Sequence, residues 1–252
     1  MSVPLRPLFA ATLLGIAALS FAACDEADPP AARVFEAAPW TGAEEYVYLV
    51  TDRGVKGEGE CRLLTTPEVE PGKTKFERRC AKDVYRDDAS VLVDAKTIEP
   101  IASTRTYADG KKNQTVTHTV TYGDGKAEFR TDDGEKKREA TRDLPQPVAG
   151  TPDPGWYDDD ELLWLARGIR LASGYDSAYV HVINAGQPRV LTVRISVEGP
   201  ETVDTPAGKF EAWKVRFDRE QSVYFVWVET SGSRKVVKAR IEDTIYTLID
   251  VR

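Results

Sequence analysis

The sequence predicts a mainly β fold, an antiparallel sheet packed around one α-helix. Three observations carry this. Apolar and polar residues alternate over many short runs, as in 190–197, where Leu191, Val193, Ile195 and Val197 oppose Thr192, Arg194 and Ser196; a period of two marks a half-buried strand. The pairs Asp109-Gly110, Asp124-Gly125 and Asp133-Gly134 separate such runs, and these residues tolerate the positive φ of tight hairpin turns. One segment, about 157–172, carries apolar residues at helical spacing instead.

At 252 residues and a net charge of -7, the chain has room for a sizeable core but is poorly suited to nucleic acid, since phosphate contacts need clustered Lys and Arg. The short basic runs at Lys111-Lys112 and Lys136-Lys137-Arg138 have acidic neighbours and read as solvated hairpin tips.

The chain begins with Arg6 and an apolar run from Leu8 to Ala23, the pattern of a signal peptide over 1–23. It ends Leu19-Ser-Phe-Ala-Ala-Cys24, which resembles a bacterial lipobox with Phe21 where Leu is usual. The resemblance implies that Cys24 is acylated and holds the protein on the periplasmic side of a bacterial membrane. The alternative is an ordinary secretory peptide cut at an Ala. Three cysteines favour the lipid: with Cys24 acylated, Cys61 and Cys80 remain as a pair. Acyl chains contribute about 0.8 kcal/mol per buried CH2, enough for a multiply acylated cysteine to anchor stably. Residues 24–42, with Pro29-Pro30 and several Ala, read as a tether, leaving 43–252 as a single domain.

Tyr46, Tyr48 and Val50 alternate with Val47 and Leu49 in the first strand. A hairpin centred between Glu70 and Pro71 then places Cys61 directly opposite Cys80, because both are equidistant from that centre. Opposed residues in a non-hydrogen-bonded pair lie about 4.5 Å apart at Cα, within disulfide reach. Closing such a loop contributes roughly 3 kcal/mol. Redox chemistry is not expected without a Cys-x-x-Cys, nor zinc with two His remote from the cysteines. Thr115 to Tyr122 alternates next, with Val116, His118, Val120 and Tyr122 on one side.

A Pro/Gly-rich loop over 144–155 leads to the helical segment. Asp158, Asp159, Asp160 and Glu161 suit a helix start; Leu162, Leu165, Ala166 and Ile169 form its apolar face, and Arg167 and Arg170 its wet side. Consecutive acids at a helix start diverge, so no metal or catalytic role is expected of them. The remaining strands follow: 178–184 with His181, 190–197, the stretch 199–217 around the Pro206-Ala207-Gly208 corner, 223–228, then 237–241 and 245–251. Apolar on both sides, 223–228 is expected in the sheet centre with both faces covered.

The pattern Glu201-x-Val203-x-Thr-Pro-Ala-Gly208-x-Phe210, Trp213-Lys-Val215, then Val226-Trp-Val228 leading to Arg234 and Val237 resembles a bacterial family of exported domains of unknown function, DUF3108-like. That resemblance covers about 157–251. It implies a curled sheet around a helix, a half-barrel or open barrel similar to the lipoprotein carriers LolA and LolB, and supplies no catalytic residues. Function then reads as a non-enzymatic binding module for an apolar ligand or lipid, with Trp164, Trp213 and Trp227 as lining candidates. The alternatives are a structural or protein-interaction domain of the envelope, or an enzyme. No Gly-x-Ser-x-Gly, His-Glu-x-x-His, Walker loop or Gly-x-Gly-x-x-Gly is present, and no cofactor is expected.

Overall fold

The computed structural model describes residues 33–53, 57–146, 153, 155–184 and 188–252. The expected signal peptide, Cys24 and the first part of the expected tether lie outside the described residues. One arm of the sheet contains β1 (Glu44–Asp52), β2 (Glu58–Glu70), β3 (Lys73–Lys82), β4 (Tyr85–Asp94), β5 (Pro100–Asp109), β6 (Gln114–Gly123), β7 (Lys126–Asp132) and β8 (Lys137–Asp143). The other contains β9 (Trp156–Asp158), β10 (Asp176–Ile183), β11 (Arg189–Thr205), β12 (Gly208–Arg219), β13 (Ser222–Glu229), β14 (Val236–Ile241) and β15 (Thr244–Val251). All join one fifteen-stranded sheet, in the order β8 to β1 and then β15 back to β9. Pairing is antiparallel apart from β9, which lies parallel to β10. The sheet curls without closing into a barrel, yet its arms meet: Tyr122 on β6 stacks on Trp156 of β9 at 5.4 Å.

The local signals account for the hairpins. At the β6–β7 turn Asp124 and Gly125 both take positive φ, 49° and 69°, as a two-residue primed turn requires. Cys61 opposes Cys80 in the β2–β3 register and the two are disulfide-bonded, their Cα atoms 4.0 Å apart.

The helix α1 (Leu162–Gly168) is shorter than the expected 157–172. A 3-10 turn over Asp159–Glu161 precedes it, and Ile169 leaves it for an isolated bridge to Phe35. All seven of its residues are buried, because the curled sheet surrounds it and leaves no wet side. Trp164 stacks on Phe76 at 4.8 Å and donates its indole N–H to Thr65 Oγ1 at 2.8 Å. Arg167, expected on the wet side, is buried: it donates to the carbonyls of Ser233 (2.9 Å) and Arg234 (3.0 Å), pairs with Glu44 and lies over the rings of Trp40 and Tyr46. A buried guanidinium is tolerated only when its N–H groups are matched in this way. Arg170 is exposed, as expected.

Two further expectations are corrected. Residues 33–42 are not a free tether, since Val34, Phe35 and Trp40 join the core and the Glu36 N–H donates to the Gly168 carbonyl at 2.9 Å. Those three large apolar side chains stabilise docking more than the chain entropy of a short segment opposes it. The strand β13 is central, but only its Tyr224, Val226 and Val228 side is buried. On its other side Phe225 and Trp227 lie beneath cationic side chains: Lys214 Nζ sits 4.6 Å from the Phe225 centroid and Lys238 Nζ 5.2 Å from that of Trp227. Long basic stems cover apolar rings while their heads stay in water.

Candidate functional site

The acids that open the helix are functional in geometry as well as in capping. Asp158 accepts from the Asp160 N–H at 2.9 Å, and Glu161 Oε1 accepts from the Asp158 N–H at 2.6 Å, a complete capping box. The curled sheet then delivers partners from far along the chain. Ser103 on β5 donates to Asp158 Oδ2 at 2.6 Å, as does the Tyr122 hydroxyl, and Asn184 Nδ2 bridges Asp158 Oδ1 (3.0 Å) and Asp160 Oδ2 (2.7 Å). Arg78 on β3 donates to Asp160 Oδ1 at 2.9 Å. Asp159 points the other way and accepts from His181 Nε2 (2.8 Å) and Arg219 (3.3 Å).

Neighbouring carboxyls in this cluster are driven apart in acidity. Burial and the adjacent Asp160 raise Asp158 to about 7, against the pull of its Ser103 and Tyr122 hydrogen bonds. Burial, with Asp158 nearby, pushes Glu161 well above the usual range. Burial also acts to raise Asp159, but the His181 hydrogen bond and the charges of Arg219 and Arg105 outweigh it and hold that carboxyl low. Asp87 is likewise lowered, its burial overcome by Arg78 and by the paired hydrogen bonds from Arg105, both 2.8 Å.

Asp159 and Asp87, with Arg78, Arg105 and Arg219, line a groove across the end of the curled sheet that the helix does not fill, while Asp158, Asp160 and Glu161 do not border it. Its middle is a polar cavity of about 470 Å³ whose lining includes Arg78, Arg105, Asp159, Arg219 and Glu242. It shares Asp87, Thr244 and Tyr246 with a second cavity of about 390 Å³, bounded by Val50, Ala81, Tyr85 and Tyr107 and by the disulfide at Cys80. At the other side it shares Arg189, Arg219 and Glu242 with a third, of about 480 Å³, which reaches Leu191 and Val223. The groove therefore grades from aromatic and aliphatic at the β4–β5 end to arginine-rich in the middle.

The sequence profile of a family described as "Protein of unknown function (DUF3108)" matches residues 79–249. The chain belongs to this family. The DUF3108 match spans Asp87, Arg105, Asp158 to Glu161, His181, Arg189, Arg219 and Glu242, and leaves out Val50, Cys61 and Arg78. Its description names no activity. No curated protein matches the chain.

Within the DUF3108 segment the expected lining residues go to different places. Trp164 is core, 2% exposed. Trp213 is half-buried against that core, and Trp227 lies on the convex face with its indole N–H on Glu201. None of the three borders the groove cavities. His118 hydrogen-bonds Thr131 at 3.0 Å, and burial together with Arg105 keeps its imidazole pKa below the ordinary value. His181 is fully buried with Nδ1 on the Tyr179 hydroxyl at 3.2 Å and Nε2 on Asp159. Sequence reasoning missed the groove arginines. A signal existed: Arg78 has the inward parity of Phe76 and Cys80, and Arg105 that of Ser103. An arginine on an inward position is a buried ion pair or a binding group.

Proposed function

We propose that this protein is a lipid-anchored, non-enzymatic binding module on the periplasmic side of a bacterial membrane, holding an apolar ligand or lipid in the groove. The observation that carries the reading is the cavity beside Val50, Ala81, Tyr85 and Tyr107, continuous with a polar cavity through Asp87, Thr244 and Tyr246. The lining of that cavity also includes Asp52, Glu60, Lys82 and Arg86, and apolar surface combined with placed polar groups is the usual form of a small-molecule site. Catalysis is disfavoured because His181 spends both ring nitrogens inside the protein, leaving neither to exchange a proton with a ligand. The membrane attachment is assigned to acylated Cys24.

The test is native mass spectrometry of protein extracted from its own membranes, with displacement of a fluorescent fatty-acid probe as the second readout. A bound apolar species, and weaker probe binding in Ala81→Trp, support the proposal. Ligand-free protein whose probe binding is unchanged by that substitution refutes it.

A second reading, an envelope protein-interaction domain, draws on the convex face, where Phe225 and Trp227 are half-exposed among Lys214, Lys238 and Arg240. It predicts that Trp227→Ala abolishes a specific in-cell cross-link while leaving probe binding intact.

A further inference from the structure

Among the described residues, the arginines in the middle of the groove carry more N–H groups than their partners use. Arg78 is 9% exposed, and its Nε is buried without a hydrogen-bond partner. Its NH2 is committed to Asp160 and Asp87. Arg219 contacts Asp159 and Tyr224 through NH1 alone, and Arg189 has one distant partner, Glu220 at 3.8 Å. Each guanidinium carries five N–H groups. Arg189 and Arg219 line the cavity with N–H groups beyond those paired inside the protein, and an acceptor-rich group matches such donors.

The acids present do not fill that role. Asp87 is held by Arg78 and Arg105, Asp159 by His181 and Arg219, and Asp160 by Arg78 and Asn184. These pairs fix the guanidiniums in place, and a guanidinium with free N–H groups matches the oxygens of a phosphate or carboxylate. Glu242, which accepts from Tyr224 at 3.1 Å, is the opposing charge on the far wall.

We propose that the groove binds an amphiphile bearing an oxyanion head, a phosphate or carboxylate received by Arg189 and Arg219, with its apolar chain running past Tyr246 to Val50, Tyr85 and Tyr107. This rests on the binding reading above and specifies the head that reading leaves open. Glu242 sets the limit on head charge, since a carboxylate near a bound anion weakens it.

The experiment is isothermal titration of the full chain with three probes below their micelle concentrations: dodecyl phosphate, dodecyl maltoside and inorganic phosphate. Dodecyl phosphate is expected to bind at least tenfold more tightly than the maltoside. Arg189→Gln, at a half-exposed position outside the buried pairs, should erase most of that preference, and Glu242→Gln should strengthen it. Unchanged thermal midpoints guard against misfolding. Equal affinity for the two detergents, insensitive to Arg189→Gln, overturns the oxyanion head and leaves the apolar reading standing. Inorganic phosphate binding as tightly as dodecyl phosphate overturns the amphiphile in favour of a free oxyanion. A weaker dodecyl phosphate complex in Glu242→Gln also overturns it, because removing a carboxylate charge beside a bound anion must favour that anion. No binding of any probe removes both readings.

Discussion

The two ends of the single helix lie in opposite environments. The 3-10 turn that opens it sets Asp158 and Asp160 among Arg78, Tyr122 and Asn184 through hydrogen bonds and ion pairs. Its last turn is capped by the Phe35 ring and the backbone of residues 36 and 37. Both ends are buried, but the last turn is closed over by the Phe35 ring, with its Arg167 matched by Glu44 and two carbonyls, whereas the opening turn gathers several carboxyls whose partners arrive from distant strands. The apolar end can be sealed. The polar end borders an open groove, because excess donors there need solvent or a ligand.

The largest effect is expected in the apolar body of the helix, between its two ends. Trp164→Ala removes the stack on Phe76 and the bond to Thr65, and denaturant unfolding should show a loss of about 3–5 kcal/mol. Gly168→Ala is next. A Cβ there would lie 2.0 Å from a Phe35 ring carbon, so the N-terminal segment must shift; about 1–3 kcal/mol is expected, with faster amide exchange at residues 34–40. A gain in stability would show that this segment does not seal the helix.

At the polar end the comparison is sharpened by pH. Asp158 holds its proton up to about pH 7 in the folded protein, whereas an unfolded Asp ionises near pH 4. Between those values the folded state binds more protons, so this group's contribution to stability falls as pH rises and levels off above about 7. Asp159 and Asp87, held low, contribute with the opposite sign: their stabilisation is present above about pH 4 and is lost on acidification. Melting curves of Asp158→Asn against wild type should therefore show the variant gaining relative stability from pH 4 to 7. A constant difference would mean that Asp158 ionises normally. The smallest effect is expected from Glu161→Gln. Burial and the neighbouring Asp158 push the Glu161 carboxyl towards its neutral form, its Oε2 has no partner among the described residues, and Gln preserves the acceptor for the Asp158 N–H. A change below about 1 kcal/mol is expected at neutral pH.

The strands and turns were legible because they are local: alternation, Asp-Gly pairs, and two cysteines equidistant from Pro71-Gly72. The family resemblance was legible for the same reason, in the β11–β12 corner and the β13 strand. The polar site was not. Asp158 to Glu161 read as a solvated helix start until the sheet brought Ser103 from 55 residues away and Tyr122 from 36. Only the curl of the sheet buries Asp158, Asp160 and Glu161 and leaves Asp159 on the groove. Residues 33–42 misled differently, since Pro and Ala nearby outweighed Val34, Phe35 and Trp40 in a compositional reading. The three tryptophans were chosen for chemistry without parity, and the groove is lined instead by inward-facing arginine and tyrosine.

Hydrogen–deuterium exchange of the full chain with and without dodecyl phosphate tests the groove most directly. The account predicts slower exchange confined to 80–87, 105–109, 219–224 and 242–246, around the β3–β4, β5, β12–β13 and β14–β15 ends that border the cavities. Protection centred on 225–229 and 236–240, across the convex face, would contradict it.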